Sequence, residues 1–342
     1  MRALTVGIGT GLLAAILCVC GEAQTAPAIN GPSLGFVADK EGATVWPLLG
    51  ILGASVPGPP LVLPQDIRDA VISPLHDYAL AVAGTNNEVV LVDLTAANPT
   101  ISPVPGVRPQ STLISLSPTG AAAALFDKQT RRLQLVSGLP SAPQVVREFD
   151  ASIFSGEVQG IAVSDDAKLA LVNAVQTDDE TRALWLVGRE DSASTLNVSR
   201  PSQMTFIANT SSALIVEQDI QEVVLMQDLN DNPVRLPGIV MRESGHPIAA
   251  IAASHDGRSI FVAQEGSEDI SVADLQSGTT VVVPCHCKPT VFSPLRGTSV
   301  FRLNDLSTGP ITVLDAHPGL PPRTLIIPVN PSKFSKEAQG ER

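Results

Sequence analysis

"SHDGRSIFVAQEGSEDISVADLQSG" (Ser254–Gly278) opens with a polar turn, runs into an apolar strand, passes a second polar turn and enters another apolar strand. The same grammar returns at "SPLHDYALAV" from Ser73, "SPTGAAAALF" from Ser117 and "SDDAKLALVN" from Ser164. It appears again at "ANTSSALIVE" from Ala208 and "SPLRGTSVFR" from Ser293. Successive units begin 44, 47, 44, 46 and 39 residues apart. The turns have a physical reading. Ser or Asp offers a side-chain oxygen that caps a tight turn. Pro beside it presets φ. Gly or Asp then takes the conformation that reverses the chain, as in Asp256-Gly257.

Each turn is followed by a further strand: "EVVLVDL" (Glu88–Leu94), "RLQLVSG" (Arg132–Gly138), "ALWLVGR" (Ala183–Arg189), "EVVLMQDL" (Glu222–Leu229), "DISVADL" (Asp269–Leu275) and "PITVLDA" (Pro310–Ala316). Most are near-continuous apolar runs, as expected of strands sandwiched between neighbouring sheets. A fourth strand follows, such as "VVVP" (Val281–Pro284) or "TLIIPV" (Thr324–Val329). A period near 45 residues fits four-stranded propeller blades better than helical solenoids. A degenerate unit precedes the six clear ones, with "SLGFVADKEGATVWPLLG" (Ser33–Gly50) as strand, turn and strand, and "ILGASVPGPPLVLP" (Ile51–Pro64) as its weaker remainder. The expectation is an all-β chain, a β-propeller of seven blades of four antiparallel strands, with six blades as the alternative. It forms one domain over residues 33–329. No long run has helical periodicity. The last unit supplies its own outer strand, so the first and last blades are expected to meet face to face, helped by "AQTAPAIN" (Ala23–Asn30).

Composition supports a packed, strand-rich chain. Of 342 residues 44% are hydrophobic and only 16% charged, the reverse of a disordered sequence. Lys+Arg 22 against Asp+Glu 34 leaves a net charge of −12, which repels nucleic-acid phosphates and acidic membrane surfaces. Met1-Arg2, the apolar run Ala3–Cys20 and the small residues of "GEA" (Gly21–Ala23) read as a signal peptide over residues 1–23. The alternatives are a retained membrane anchor, at the short limit for a span, and lipidation at Cys18 or Cys20, whose preceding residues lack the required small side chain. The protein is therefore expected to be exported: periplasmic, surface-associated or extracellular, monomeric, with no stable membrane span after cleavage. The polar residues 330–342 read as a disordered tail.

The Ser254 unit resembles the YVTN/lactonase-like propeller repeat, whose pattern is "SPDG", two residues, an apolar "VA" strand, then "VxVID" and a Thr/Ser-Gly turn. The Ser73 and Ser293 units match it in part, and the resemblance spans roughly Ser33 to Val329. It implies the fold. The family includes secreted bacterial surface proteins, binding modules and some sugar-lactone hydrolases, so blade grammar alone implies no single activity.

Few residues suggest chemistry. "PCHCKP" (Pro284–Pro289) places Cys285 and Cys287 two apart. With the leader removed they are the two remaining cysteines, a possible disulfide or thiol pair. Metal binding needs more ligands, such as His286, His246 or His317; a redox-labile disulfide is a further alternative. His76 and His255 lie in turns, where a lone histidine is usually solvated, and His246 sits in a loop before a blade. "DLNDNPVR" (Asp228–Arg235) and "QTDDETR" (Gln176–Arg182) carry oxygen ligands at alternate positions but lack the Gly and distant Glu of a calcium loop. Trp46, Trp185 and Tyr78 are the only Trp and Tyr residues, and Trp185 lies in an apolar strand, which disfavours sugar stacking. No Gly-x-Ser-x-Gly elbow or Cys-x-x-Cys-His motif occurs.

These features favour a non-enzymatic scaffold binding an unknown protein or small-molecule ligand at one face of the disc, with no cofactor, no metal and no nucleic acid. The alternative is a lactonase-like hydrolase with its site at the central channel mouth, where His, Arg and carboxylates from several blades would have to converge.

Overall fold

The computed structural model describes residues 31–39, 44–96, 98–176, 182–188, 192–240, 246–305 and 309–329. The expected leader (1–23), the "AQTAPAIN" segment, the tail (330–342) and the centre of the "QTDDETR" loop lie outside the described residues. No helix of the described residues is long and apolar enough to cross a membrane.

The strands form seven antiparallel sheets, a seven-bladed β-propeller. Blade 1 comprises Ser33–Asp39, Thr44–Ile51 and Ala54–Pro57. Blade 2 comprises Ile67–Ile72, Tyr78–Ala83, Glu88–Asp93 and Thr100–Pro103. Blade 3 is Leu113–Leu116, Ala122–Asp127, Arg132–Ser137 and Gln144–Asp150, and blade 4 is Glu157–Val163, Ala170–Val175, Arg182–Val187 and Ala193–Leu196. Blade 5 is Pro201–Phe206, Ala213–Glu217, Glu222–Gln227 and Val234–Val240, and blade 6 is Ile248–Ala253, Ser259–Gln264, Asp269–Asp274 and Thr280–Pro284. Blade 7 holds Ser293–Pro294, Val300–Arg302, Ile311–Asp315 and Arg323–Ile327. In blades 2 to 7 the strands pair in chain order, and the first strands of most successive blades lie against one another around the axis.

The turn chemistry explains why each hairpin closes. The buried Ser73, Ser117, Ser164 and Ser254 each accept, at Oγ, the backbone N–H of the residue five positions on: Tyr78 (3.4 Å), Ala122 (3.1 Å), Leu169 (3.0 Å) and Ser259 (2.9 Å). The fourth turn residue is left-handed: His76, Gly120, Ala167 and Gly257 have φ of 56°, 76°, 54° and 68°. Second strands are wholly buried in blades 2, 3 and 5. Alanines at 79, 81, 83 and 122–124 let neighbouring sheets approach.

Closure is visible in the core. Apolar side chains gather in seven clusters, each lying between two adjacent blades. An open stack of seven sheets would leave only six such interfaces. The seventh joins the ends of the chain: Leu34, Val37, Trp46 and Leu48 of blade 1 pack on Val300, Ile311, Val313 and Ile327 of blade 7. No strand is exchanged between these two blades among the described residues.

Blade 1 has three strands among the described residues, and backbone bonds show which positions they take. At the start of the third-to-fourth connection, Leu94 N–H donates to Asp77 O just before the second strand of blade 2. Leu229 to Ser211, Leu275 to Arg258 and Ala316 to Ser299 repeat this in blades 5, 6 and 7. In blade 1 the matching bond is Gly50 N–H to Pro32 O (2.8 Å). Its strands therefore occupy the second, third and outer positions, and the innermost place holds no strand of the described residues. Two turns reach into that place. Arg296 N–H of blade 7 donates to Leu34 O (2.8 Å), and His76 Nδ1 of blade 2 accepts Phe36 N–H (2.9 Å).

Candidate functional site

Antiparallel strand order puts the serine turns on one face of the disc, here the turn face. The second-to-third turns and the blade-to-blade connections lie on the other, the crossover face. On the crossover face a groove of about 550 Å3 runs between blades 3 and 4. Its floor is built from local rules. Asp127, at the end of its strand, accepts the N–H groups of Gln129 (2.8 Å) and Thr130 (3.2 Å) and the Thr130 hydroxyl (2.5 Å). That folds the "KQTR" turn and leaves Arg131 left-handed at φ 51°. From there Arg131 Nη2 donates to three carbonyls of the next connection: Ala151 (3.0 Å), Phe154 (2.9 Å) and Gly156 (3.1 Å).

The connection itself is shaped to receive them. Asp150 caps a short 3-10 turn, Ala151–Ile153, by accepting Ser152 N–H (3.0 Å). Phe154 is buried against Trp185, ring centroids 5.4 Å apart. Gly156 has φ 93°, and a Cβ there would meet Val175 O at 2.2 Å, so only glycine fits. Lys128 pairs with Glu157 across the blade boundary, and this hydrogen bond holds the Glu157 carboxyl below the usual carboxylate range. The groove thus offers an apolar floor (Phe126, Phe154, Val158), two serine hydroxyls (Ser152, Ser155) and a paired charge at one end. Neither a histidine nor a cysteine lines it among the described residues. Such a surface can hold an amphipathic ligand in place.

The residues singled out from sequence fall elsewhere. Cys285 and Cys287 are joined by a disulfide, Cα atoms 5.0 Å apart, in the connection from blade 6 to blade 7. Cys285 is buried in the cluster between those blades with Phe261 and Phe301, and Cys287 packs beside it. His286 between them is exposed and left-handed (φ 51°). His246 lies on the crossover face and His317 in a third-to-fourth turn on the opposite face, so the chain does not bring them together at the cysteines. Among the described residues no group of three or more His, Cys, Asp or Glu side chains is placed to hold a metal ion. The "DLNDN" loop is a tight turn in which Asp231 and Asn232 N–H both donate to Asp228 O. Trp46 and Trp185 pack in blade interfaces.

His255 is exposed, as a turn histidine is expected to be, but His76 is not: it is 1% exposed. The expectation of a solvated side chain fails because the inner position of blade 1, which holds no strand of the described residues, takes the imidazole. Gly35 makes that room, since a Cβ there would sit 2.8 Å from the ring. Among the described residues several arginines are engaged by nearby carboxylates. These pairs are Arg108 with Glu148 (2.8 Å), Arg200 with Asp219 (3.2 Å), Arg235 with Glu217 (2.6 Å) and Arg323 with Asp315 (3.0 Å). The groove left a weaker trace in the sequence, a phenylalanine and a glycine in the short "DASIFSG" connection (Asp150–Gly156).

No protein-family model matches the sequence, and no curated protein matches it significantly. Solved structures do share its shape. A functionally unknown protein from Desulfotomaculum acetoxidans superposes with a TM-score of 0.57 at 13% identity, covering 86% of this chain and 100% of that one. A putative 6-phosphogluconolactonase from Bacteroides uniformis gives 0.55 at 14% identity over 86% and 96% of the two chains. A protein from Lactobacillus plantarum gives 0.55 at 12% identity over 83% and 92%. At such identities the likeness concerns the fold, which it places among β-propellers.

Proposed function

We propose that this chain is an exported, non-enzymatic β-propeller scaffold that binds a protein or small ligand on its crossover face, in the groove between blades 3 and 4. One observation carries the reading: a single guanidinium, Arg131, pins three carbonyls of the groove floor. The concave surface is thereby organised before any ligand arrives, which lowers the ordering cost of binding. Local pairing of the carboxylates and arginines supports the scaffold over the hydrolase. The leader-like residues 1–23 support export.

The test is capture from a native envelope extract by the immobilised mature protein, compared across three variants. Ser152→Trp fills the groove and Glu157→Lys sets two cations side by side, so both should lose the captured species. Leu75→Asp, on the turn face and 61% exposed, should keep it. Equal capture by all four proteins refutes the groove. Hydrolysis of sugar lactones above the uncatalysed rate refutes the scaffold in favour of a lactonase-like enzyme.

A further inference from the structure

We propose that His76 is an acid-labile latch across the seam where the propeller closes, and that protonating it frees the first blade from its two neighbours. The imidazole touches three blades at once. It projects from the turn of blade 2 with φ 56°. Its Nδ1 accepts Phe36 N–H of blade 1 (2.9 Å), and its Nε2 lies 2.9 Å from Pro294 O of blade 7. A carbonyl can only accept, so Nε2 carries the proton. A backbone N–H can only donate, so Nδ1 must be bare. The surroundings therefore demand the neutral ring in one tautomer.

A second proton has only Nδ1 to occupy, where it would face the Phe36 N–H, donor against donor. The charged neighbours do little to relieve this. Arg296 of blade 7 donates to His76 O (2.9 Å), and its guanidinium stands 5.8 Å from the Phe36 ring centroid, adding positive charge. Asp77, next in the chain, is the facing anion, and its carboxylate already accepts the Ser73 hydroxyl (2.5 Å). Burial first, then Arg296, lowers the affinity of His76 for a proton to a pKa of about 4 from 6.5.

The sign follows from linkage. The unfolded or opened seam binds the proton more readily than the closed one, so closure is fully favoured above pH 6.5 and is lost as pH falls towards 4. Opening should grow about tenfold per pH unit, roughly 300-fold over that window. What opens is apolar. Leu34 and Leu48 lie in the seam core, and a groove of about 490 Å3 on the turn face, lined by Ile51, Leu52 and Leu320, runs directly over it.

Amide hydrogen exchange of the full mature chain tests this, corrected for intrinsic rates, between pH 7 and 4.5. The opening constant at Phe36 should rise about tenfold per unit below pH 6.5, while Val172 in blade 4 stays protected. His76→Gln keeps an acceptor and a donor but cannot titrate, so its Phe36 slope should vanish whatever its basal stability. A flat Phe36 profile overturns the latch, as does a slope that survives in His76→Gln. Equal acid sensitivity at Val172 overturns it too, because the whole ring would then be unfolding. A ring-proton titration of His76 near 6.5 with Phe36 still protected has the same consequence.

Discussion

Arg131 gives the sharpest handle on the groove. Its Nη2 nitrogen has two hydrogens but three carbonyls within 3.1 Å, so the three contacts amount to about two full bonds. A hydrogen bond from a charged group contributes about 1.5–3 kcal/mol, and partial exposure puts these at the low end. Arg131→Met keeps the apolar stem and removes every donor, so it should cost about 3 kcal/mol. Unfolding entropy of about 2 cal/mol/K per residue over a domain of this size makes that a fall of about 5 °C in Tm. The loss should also be local. Exchange should speed up across residues 151–156, and groove capture should weaken, while the protection of blades 5 and 6 is unchanged. Arg131→Lys should recover less than half, because an ammonium on a different stem cannot span carbonyls five residues apart. An Arg131→Met protein with the parent's Tm and an unaltered 151–156 segment would refute the claim that this guanidinium builds the groove.

Two further outcomes follow from the geometry. Asp165 accepts the Thr119 N–H (2.8 Å) and hydroxyl (2.6 Å) and the Asn209 N–H (2.7 Å), tying together the turns of blades 3, 4 and 5; Asp165→Ala should cost about 2 kcal/mol by thermal denaturation and Asp165→Asn about half, both leaving crossover-face capture intact. The Cys285–Cys287 disulfide closes a loop of only three residues, so loop entropy limits its contribution to about 1.5 kcal/mol; the double serine variant should stay folded, and after reduction the partly exposed Cys287 should alkylate before the buried Cys285.

The repeat was legible because each blade must solve the same problem of reversing a buried strand, and serine, proline and left-handed residues solve it locally. Ser73, Ser117, Ser164 and Ser254 perform the capping that their spacing implied. Strands of the second and third positions were legible for a related reason: sheets cover them on both sides, so their residues read as apolar runs. Blade 1 also stood out as degenerate, but not the place of its missing strand. "SLGFVAD" reads equally well as a first or a second strand, and only the Gly50–Pro32 bond distinguishes them. The burial of His76 has the same origin, since it depends on how the inner position of the neighbouring sheet, blade 1, is filled, which the turn's own sequence does not encode. The groove was harder still. Arg131, Ala151, Phe154 and Gly156 meet across a blade boundary, and no periodicity in the chain encodes which carbonyl an arginine will reach.

The seam between blades 7 and 1 differs chemically from the other six. In blades 2 to 7 the residue two positions after the turn-closing carbonyl points into the next interface. In blades 2 to 6 this is Leu80, Ala124, Leu171, Leu214 and Phe261, each buried in an apolar cluster. In blade 7 it is Arg302, 7% exposed, bonded to Asn304 O (2.7 Å) and Asp305 (3.0 Å), with a buried Nε that finds no partner among the described residues. Burial lowers its hold on its proton, in the direction expected of a charge kept from water. A buried charge is costly even when paired, whereas a leucine in that place stabilises. The closing interface therefore gives up apolar contact at its centre and, among the described residues, has no inner strand on the blade 1 side. Its hold depends correspondingly more on the few directional bonds that cross it, those of His76 and Arg296. A ring with one such joint should open there first, and replacing Arg302 by leucine would deepen the seam's apolar core without touching either turn.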